Sequence, residues 1–150
     1  MKQIVTCLLA FALIISMSVP AFASEQSNVI LTQEIDLGNG ITIVDELVEL
    51  SSVRSSDRTY ARTKTIKEND ATIGVITIIG IFRYDGTSVS VVSKVVDQTD
   101  TYYGWNYVQN SFTESGGTIT LDAKLTKLLV FNIPFTISIT CDANGKISET

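Results

Sequence analysis

Short runs in which apolar and polar residues alternate are the sequence feature that most restricts the fold of this chain. The clearest runs are residues 29–37, 41–50 and 119–130, and glycine, asparagine and aspartate mark turns between them. A period of two residues places apolar side chains on one face of a β-strand, whereas a helix would need a 3.6-residue stripe, which is absent. Ile, Val and Thr, which suit a pleated surface, supply 44 of the 127 residues from position 24 onward. The chain is predicted to be all-β.

The alternation and the turn signals together predict eight or nine short strands. The predicted strands cover residues 29–37, 41–50, 58–67, 71–84, 87–97, 101–112, 119–130 and 133–141, with a short final strand after them. Many short strands separated by turns are typical of an antiparallel β-sandwich, immunoglobulin-like in its general architecture. A small β-barrel is the alternative, but a two-layer core of this length buries its inward faces well.

The first 23 residues differ in composition from the rest. Seventeen of them are hydrophobic, Lys2 carries their only side-chain charge, and Ala21-Phe22-Ala23 has the small-x-small pattern of a cleavage site. Their apolar run is shorter than the ~20 residues of a membrane-spanning helix. We therefore predict a signal peptide at 1–23 and a single secreted β-domain at 24–150.

Charge and residue usage exclude several function classes. The net charge is −5, and there is no histidine. A negative chain lacks the basic surface that nucleic-acid binding requires. Without histidine, Ser-His-Asp and Cys-His catalysis and the usual zinc sites are excluded. The sequence predicts no catalytic residue, no metal site and no cofactor, and a protein that is not an enzyme. A hydrolase that uses two carboxylates stays open, although no sequence feature nominates the acids.

Cys141 is the one cysteine that remains after the predicted cleavage. It ends an alternating apolar strand, which indicates a buried small side chain. Pairing between chains is the alternative, and the sequence leaves the oligomeric state open.

Charged residues on two of the predicted strands are interpreted as features of sheet edges. The strand at 58–67 carries Tyr60, Arg62, Lys64 and Ile66 on one face, and its basic character predicts an edge strand. In the strand at 41–50, Asp45, Glu46 and Glu49 lie near one another, but adjacent acids point to opposite faces of a strand, which argues against a catalytic pair. These acids are interpreted as a solvated edge.

The aromatic strand predicted at 101–112 holds the candidate binding residues, Tyr102, Tyr103, Trp105 and Tyr107. Spacing of two residues would place Tyr103, Trp105 and Tyr107 on one face. Such a stripe fills a core when it faces inward, which is the favoured interpretation, and stacks on sugar rings when it is exposed. Tyr102 points the other way and is the better candidate for exposure.

Two segments carry a resemblance to known sequences. The stretch YARTKTIKENDATIGVITIIGIFRYDGTSVS at 60–90 and the ending TISITCDANGKIS at 136–148 resemble a group of small secreted proteins of unknown function from Firmicutes. The resemblance implies a secreted β-domain from a Gram-positive bacterium. It brings no activity and no site residues.

These observations lead to the expectation of a secreted, non-catalytic domain that binds an extracellular or cell-envelope ligand. The expected partner is a cell-wall glycan or an extracellular protein, with no nucleic acid among the partners. A secreted antimicrobial or toxin-like membrane-active factor is the alternative. The net negative charge argues against it, because anionic envelopes attract cationic agents, and no membrane association is expected once the signal peptide is removed.

Overall fold

The computed structural model describes residues 27–50, 57–128 and 130–148. The predicted signal peptide at 1–23 lies outside these ranges, as does the serine-rich segment at 51–56. The described residues form nine β-strands and no helix. None of them therefore belongs to a helix that is long and apolar enough to cross a membrane.

The strands agree with the alternation in the sequence for most of the chain. They are β1 (Asn28–Gly38), β2 (Ile41–Leu50), β3 (Asp57–Glu68), β4 (Ala71–Tyr84), β5 (Val89–Thr101), β6 (Asn106–Ser115), β7 (Thr118–Lys127), β8 (Phe131–Cys141) and β9 (Ile147–Ser148).

Two antiparallel sheets share these strands. The first sheet has the order β1-β2-β3-β4-β5, and the second has the order β6-β7-β8-β9. The sheets do not close into a barrel, so the predicted β-sandwich is confirmed. In both sheets each strand pairs with its neighbour in the sequence, so the chain forms two successive meanders. An immunoglobulin domain has the same two layers but sends its chain back and forth between them.

The inner faces of the two sheets form one hydrophobic core. The fully buried side chains come from both sheets and include Leu47, Ile66, Ile76, Ile78, Phe82, Ile119, Leu121, Leu125, Ile137 and Ile139. Cys141 is also buried and is a free thiol. Burial raises the pKa of this thiol to about 11, with the neighbouring Asp142 carboxylate as the second cause. The structure therefore places Cys141 in the core, as the alternation indicated.

The prediction that β3 is an edge strand is wrong. β3 pairs with β2 on one side and with β4 on the other. Its residues Tyr60, Arg62, Lys64 and Ile66 do share one face, but that face is turned toward the second sheet, where Tyr60, Arg62 and Ile66 are buried. The basic residues tolerate this position because Asp45 of β2 is buried beside them. The interpretation of Asp45 as part of a solvated edge is wrong for the same reason.

The predicted aromatic strand at 101–112 is also wrong at its beginning. β5 continues to Thr101, a turn occupies residues 102–105, and β6 starts only at Asn106. Tyr103 and Gly104 both have positive φ, 57° and 77°, which breaks the extended backbone. Tyr103, Trp105 and Tyr107 therefore do not form a stripe on one strand face.

Candidate binding site at the loop end

Four turns meet at one end of the sandwich, and we call this end the loop end. It comprises the turns at 38–40, 69–70 and 102–105 and the turn after β7, of which the structure describes Leu128 and Val130, together with Phe131 and Asn132. The antiparallel registers place these turns together, and direct contacts join them. The Asn69 amide donates to the Gly40 carbonyl at 2.8 Å. The Lys127 ammonium, next to the last of the turns, lies 3.7 Å from the Glu68 carboxylate.

Exposed apolar side chains are concentrated at the loop end. Tyr103 is 71% exposed, Leu128 77%, Val130 74% and Phe131 59%. The turns at the opposite end, at 85–88, 116–117 and 142–146, carry none of the large exposed hydrophobic residues among those described, although Val29 at the start of β1 lies toward that end. A soluble domain exposes single apolar residues at many positions, but a cluster of them marks an interaction surface. The loop end is therefore the part of the described surface best suited to contact a ligand.

Backbone strain is concentrated in the same turns. Every described non-glycine residue with positive φ lies in one of them; these residues are Asn39, Asn69, Asp70, Tyr103 and Leu128. Asparagine and aspartate tolerate this conformation, whereas Tyr and Leu do not favour it. Residues held in sparsely populated conformations persist where the surroundings impose them, and they cluster at ligand-binding sites.

The turn at 102–105 fixes the exposed tyrosine ring. The Trp105 amide donates to the Tyr102 carbonyl at 3.1 Å, which closes a four-residue turn. Positive φ at both Tyr103 and Gly104 defines it as type I′. The Tyr102 amide donates to the Ile73 carbonyl at 3.0 Å and so ties the turn to the first sheet. Tyr103 is thus presented to solvent from an anchored backbone.

Trp105 is the buried aromatic residue of the loop end. Its side chain is buried, and the Lys127 ammonium lies 5.4 Å from the centre of its ring. The indole Nε1 has no hydrogen-bond partner among the described residues. A buried donor without a partner costs about 1–3 kcal/mol of stability, so most proteins provide one.

A cavity of about 400 Å³ opens beside Trp105. It is lined by Asn39, Ile41, Glu68, Trp105, Phe131, Asn132 and Ile133. The lining combines two aromatic rings and two isoleucines with two amides and one carboxylate. Small-molecule sites have this composition, in which apolar walls supply contact and a few polar groups fix orientation. A shallower hollow of about 450 Å³ lies against Thr72, Tyr102 and Tyr103.

The structure places three of the four candidate binding residues at the loop end and the fourth, Tyr107, in β6. Tyr102 and Tyr103 are exposed in the turn, whereas Trp105 is buried and lines the cavity. Tyr107 is partly buried against the core, and its hydroxyl donates to Gln109 Oε1 at 3.1 Å. Desolvation raises the pKa of Tyr107. Tyr107 is thus a packing residue in β6, and the other three belong to the loop end.

The sequence interpretation missed the contribution of Leu128, Val130 and Phe131. The signal was present, because the sequence is apolar without interruption from Leu128 to Phe131, directly after the end of β7. Turns are ordinarily polar, so an exposed apolar run at a turn indicates a functional surface. The alternation pattern extended the predicted strand to residue 130, whereas β7 ends at Lys127.

Among the residues that the structure describes, no group of three His, Cys, Asp or Glu side chains is placed to hold a metal ion. Comparison with protein-family models, with curated proteins and with solved structures found no match to this chain.

Proposed function

We propose that this protein is a secreted, non-catalytic binding domain that attaches to an extracellular or cell-envelope ligand through its loop end. The observation that supports the proposal most strongly is the coincidence of exposed aromatic rings, positive-φ backbone and a lined cavity at one end of the sandwich. Binding residues are often found on loops that a rigid scaffold positions, and this end has that construction.

A glycan is the ligand that the loop end suits best. Sugar rings present apolar C–H faces, which aromatic rings such as Tyr103 and Phe131 contact, and hydroxyl groups that need donors and acceptors. The amides of Asn39 and Asn132 and the carboxylate of Glu68 line the cavity beside Phe131 and supply both. A protein partner is the other possibility, since exposed Tyr and Phe also anchor protein interfaces.

The test is co-sedimentation of residues 24–150 with isolated Gram-positive cell wall, which the sequence resemblance makes the first probe. We expect saturable pelleting of the wild-type protein. The double variant Tyr103→Ala, Phe131→Ala removes the two exposed rings, and we expect its apparent affinity to fall about tenfold or more, as at an interface anchored by a few aromatic residues.

The matched control is Val92→Ala, Val95→Ala, which removes two side chains that are each 47% exposed on β5, away from the loop end. It should bind like the wild-type protein. Failure of the wild-type protein to pellet with wall, or equal loss in both double variants, would overturn the proposal.

A membrane-active function is the second candidate, and the exposed Leu128 and Val130 favour it. Apolar residues at a turn tip enter the acyl boundary of a bilayer when aromatic residues flank them at the interface. Acidic residues near this end, including Glu68 and Asp70, disfavour anionic lipid. Pelleting with zwitterionic liposomes in a parallel arm, without pelleting on wall, would replace the glycan proposal with this one.

A further inference from the structure

A cleft separate from the two hollows of the loop end lies beside the edge of β8 that faces away from β7. β7 pairs with β8 along its length, but β9 pairs only with Thr140 and Cys141. Among the described residues, the edge from Phe131 to Ile139 has no neighbouring strand. The cleft has a volume of about 390 Å³ and is lined by Gln33, Ile35, Asp45, Arg62, Lys64, Thr136 and Ser138.

The cleft contains two cationic groups and one carboxylate. Arg62 Nε and Nη2 donate to the two oxygens of Asp45 at 2.9 and 3.0 Å, and Arg62 Nη1 donates to the Ser138 carbonyl at 2.7 Å. The side chains of Arg62 and Asp45 are 7% and 3% exposed. The Lys64 ammonium is 3.5 Å from Asp45 Oδ2, with the side chain 13% exposed. Both oxygens of Asp45 thus accept hydrogen bonds from Arg62. Lys64 makes a longer, weaker contact with one of the same oxygens.

Among the described residues that line the cleft, two cationic side chains accompany one carboxylate, and no other acidic side chain is present. These residues therefore leave one positive charge in excess in a partly buried place. Removing an ammonium group from water is unfavourable, and an ion pair with an anion compensates for the lost hydration. The net charge of the chain is −5, so the protein as a whole does not attract anions, and the excess is local to the cleft.

The β8 edge adds a hydrogen-bond donor to the positive charge. In an antiparallel strand, alternate residues direct both backbone groups to the same edge. Because the Ser138 carbonyl faces Arg62, the Thr136 amide is directed to the same side, toward the cleft. Pro134 also lies on this side and has no N–H, which disfavours addition of a whole strand. The edge suits a single acceptor group better than an extended peptide.

We propose that this cleft binds a carboxylate group, with the Lys64 ammonium as its ion-pair partner and the Thr136 amide and the Gln33 side-chain amide as hydrogen-bond donors. A monoanion balances the excess charge, whereas a phosphate dianion would leave a negative charge beside Asp45. Ile35 provides an apolar contact for the carbon chain of the ligand. The carboxylate comes either from a free organic acid or from the C-terminus of a peptide.

The experiment is an NMR titration of the purified protein at constant ionic strength in a buffer without carboxylate or phosphate. The probes are propionate, trialanine with a free C-terminus, trialanine amide, and sodium chloride. We expect saturable shifts of the Thr136 amide and the Gln33 side-chain amide with propionate, with trialanine, or with both, and none with trialanine amide. A response to propionate identifies a free acid as sufficient, and a response to trialanine alone identifies a peptide terminus.

Two variants complete the test. Lys64→Met removes the ammonium and keeps the apolar stem, and we expect about tenfold weaker binding, as for loss of a hydrogen-bonded charge. Lys67→Met makes the same change on the same strand outside the cleft and should bind normally. If Lys64→Met folds poorly, the wild-type shifts of Thr136 and Gln33 still test whether the cleft binds a carboxylate. Absence of saturable shifts, equal shifts with chloride, or equal affinity of the two variants would overturn the proposal.

Discussion

At the scale of the residue, the buried Asp45–Arg62 pair shows where the sequence was informative and where it was not. Alternation predicted correctly that Arg62 shares a face with Tyr60 and Ile66. It could not show that the face is buried, because the carboxylate that makes burial tolerable lies 17 residues away on β2. Charged residues are ordinarily exposed, so a pattern without knowledge of pairing assigns them to an edge.

The pair gives a first prediction about stability. Asp45→Asn removes the buried carboxylate that the Arg62 guanidinium and the Lys64 ammonium both contact. We expect a loss of about 3–5 kcal/mol in the free energy of unfolding, as when one partner of a buried ion pair is removed. Urea unfolding measures it. The control is Glu46→Gln on the opposite face of β2, which should change stability by less than about 0.5 kcal/mol. Equal effects of the two substitutions would contradict the assigned role of Asp45.

Leu128 gives a second prediction at this scale. Its φ is 55°, and its side chain is 77% exposed, so the residue is strained without being packed. A left-handed conformation costs an L-residue about 1–2 kcal/mol of stability, and glycine avoids this cost. Glycine is also more flexible in the unfolded chain, which lowers the stability of the fold by about 0.5–1 kcal/mol and offsets part of the gain.

Leu128→Gly should therefore raise the free energy of unfolding by about 0.5–1 kcal/mol. Leu37→Gly is the control, because Leu37 is similarly exposed, at 51%, in an extended strand, where glycine destabilises. If Leu128→Gly destabilises the fold as much as Leu37→Gly does, the Leu128 side chain is a packing residue and the account of strain at this turn is wrong.

At the scale of the element, strands that begin and end at conventional turns were predicted well. β2 and β4 have the predicted bounds, because Asn39-Gly40, Asn69-Asp70 and Asp85-Gly86 are recognisable turn residues. The boundary between β5 and β6 was missed because the turn at 102–105 places tyrosine, which has no turn preference, at a positive-φ position. Its conformation is imposed by contacts with the first sheet, which are not visible in a local pattern.

β4 carries a prediction of its own. A methyl group added at Gly80 would lie 2.7 Å from Ile119 Cδ1 and 2.7 Å from Phe82 Cε2, and both side chains are fully buried. Glycine therefore allows the second sheet to approach β4 closely. Gly80→Ala should destabilise the fold by about 1–3 kcal/mol, as in other overpacked cores. Ser90→Ala on the exposed side of β5 is the control for the unfolding measurement. An unchanged midpoint in Gly80→Ala would mean that the neighbouring side chains rearrange freely.

At the scale of the whole molecule, the sequence predicted two layers and one core but not which turns meet. The loop end depends on how two meanders face each other, and no alternation pattern contains that information. The same packing buries the Tyr60 hydroxyl and the Cys141 thiol, in addition to the Asp45–Arg62 pair. Burial raises the pKa of Tyr60 to about 12, and that of Cys141 to about 11, from ordinary values of 10.0 and 9.0.

These shifts predict alkaline destabilisation. Above pH 9 the unfolded chain loses the Cys141 proton while the folded chain keeps it, and Tyr60 behaves in the same way from pH 10. The unfolded state then binds fewer protons, so stability falls as pH rises, until each folded-state pKa is reached near 11 and 12. Urea midpoints measured from pH 8 upward should show this decline. It should be shallower in Cys141→Ala and in Tyr60→Phe, and a decline of unchanged steepness in both would contradict it.

Mapping the contact surface is the most direct test of whether the loop end is the binding face. Amide NMR shifts of the protein would be followed during titration with soluble cell-wall fragments. We expect the shifts to concentrate at residues 38–40, 69–70, 102–105, 128 and 130–132. Shifts concentrated at 85–88, 116–117 and 142–146, or no saturable shift anywhere, would contradict it.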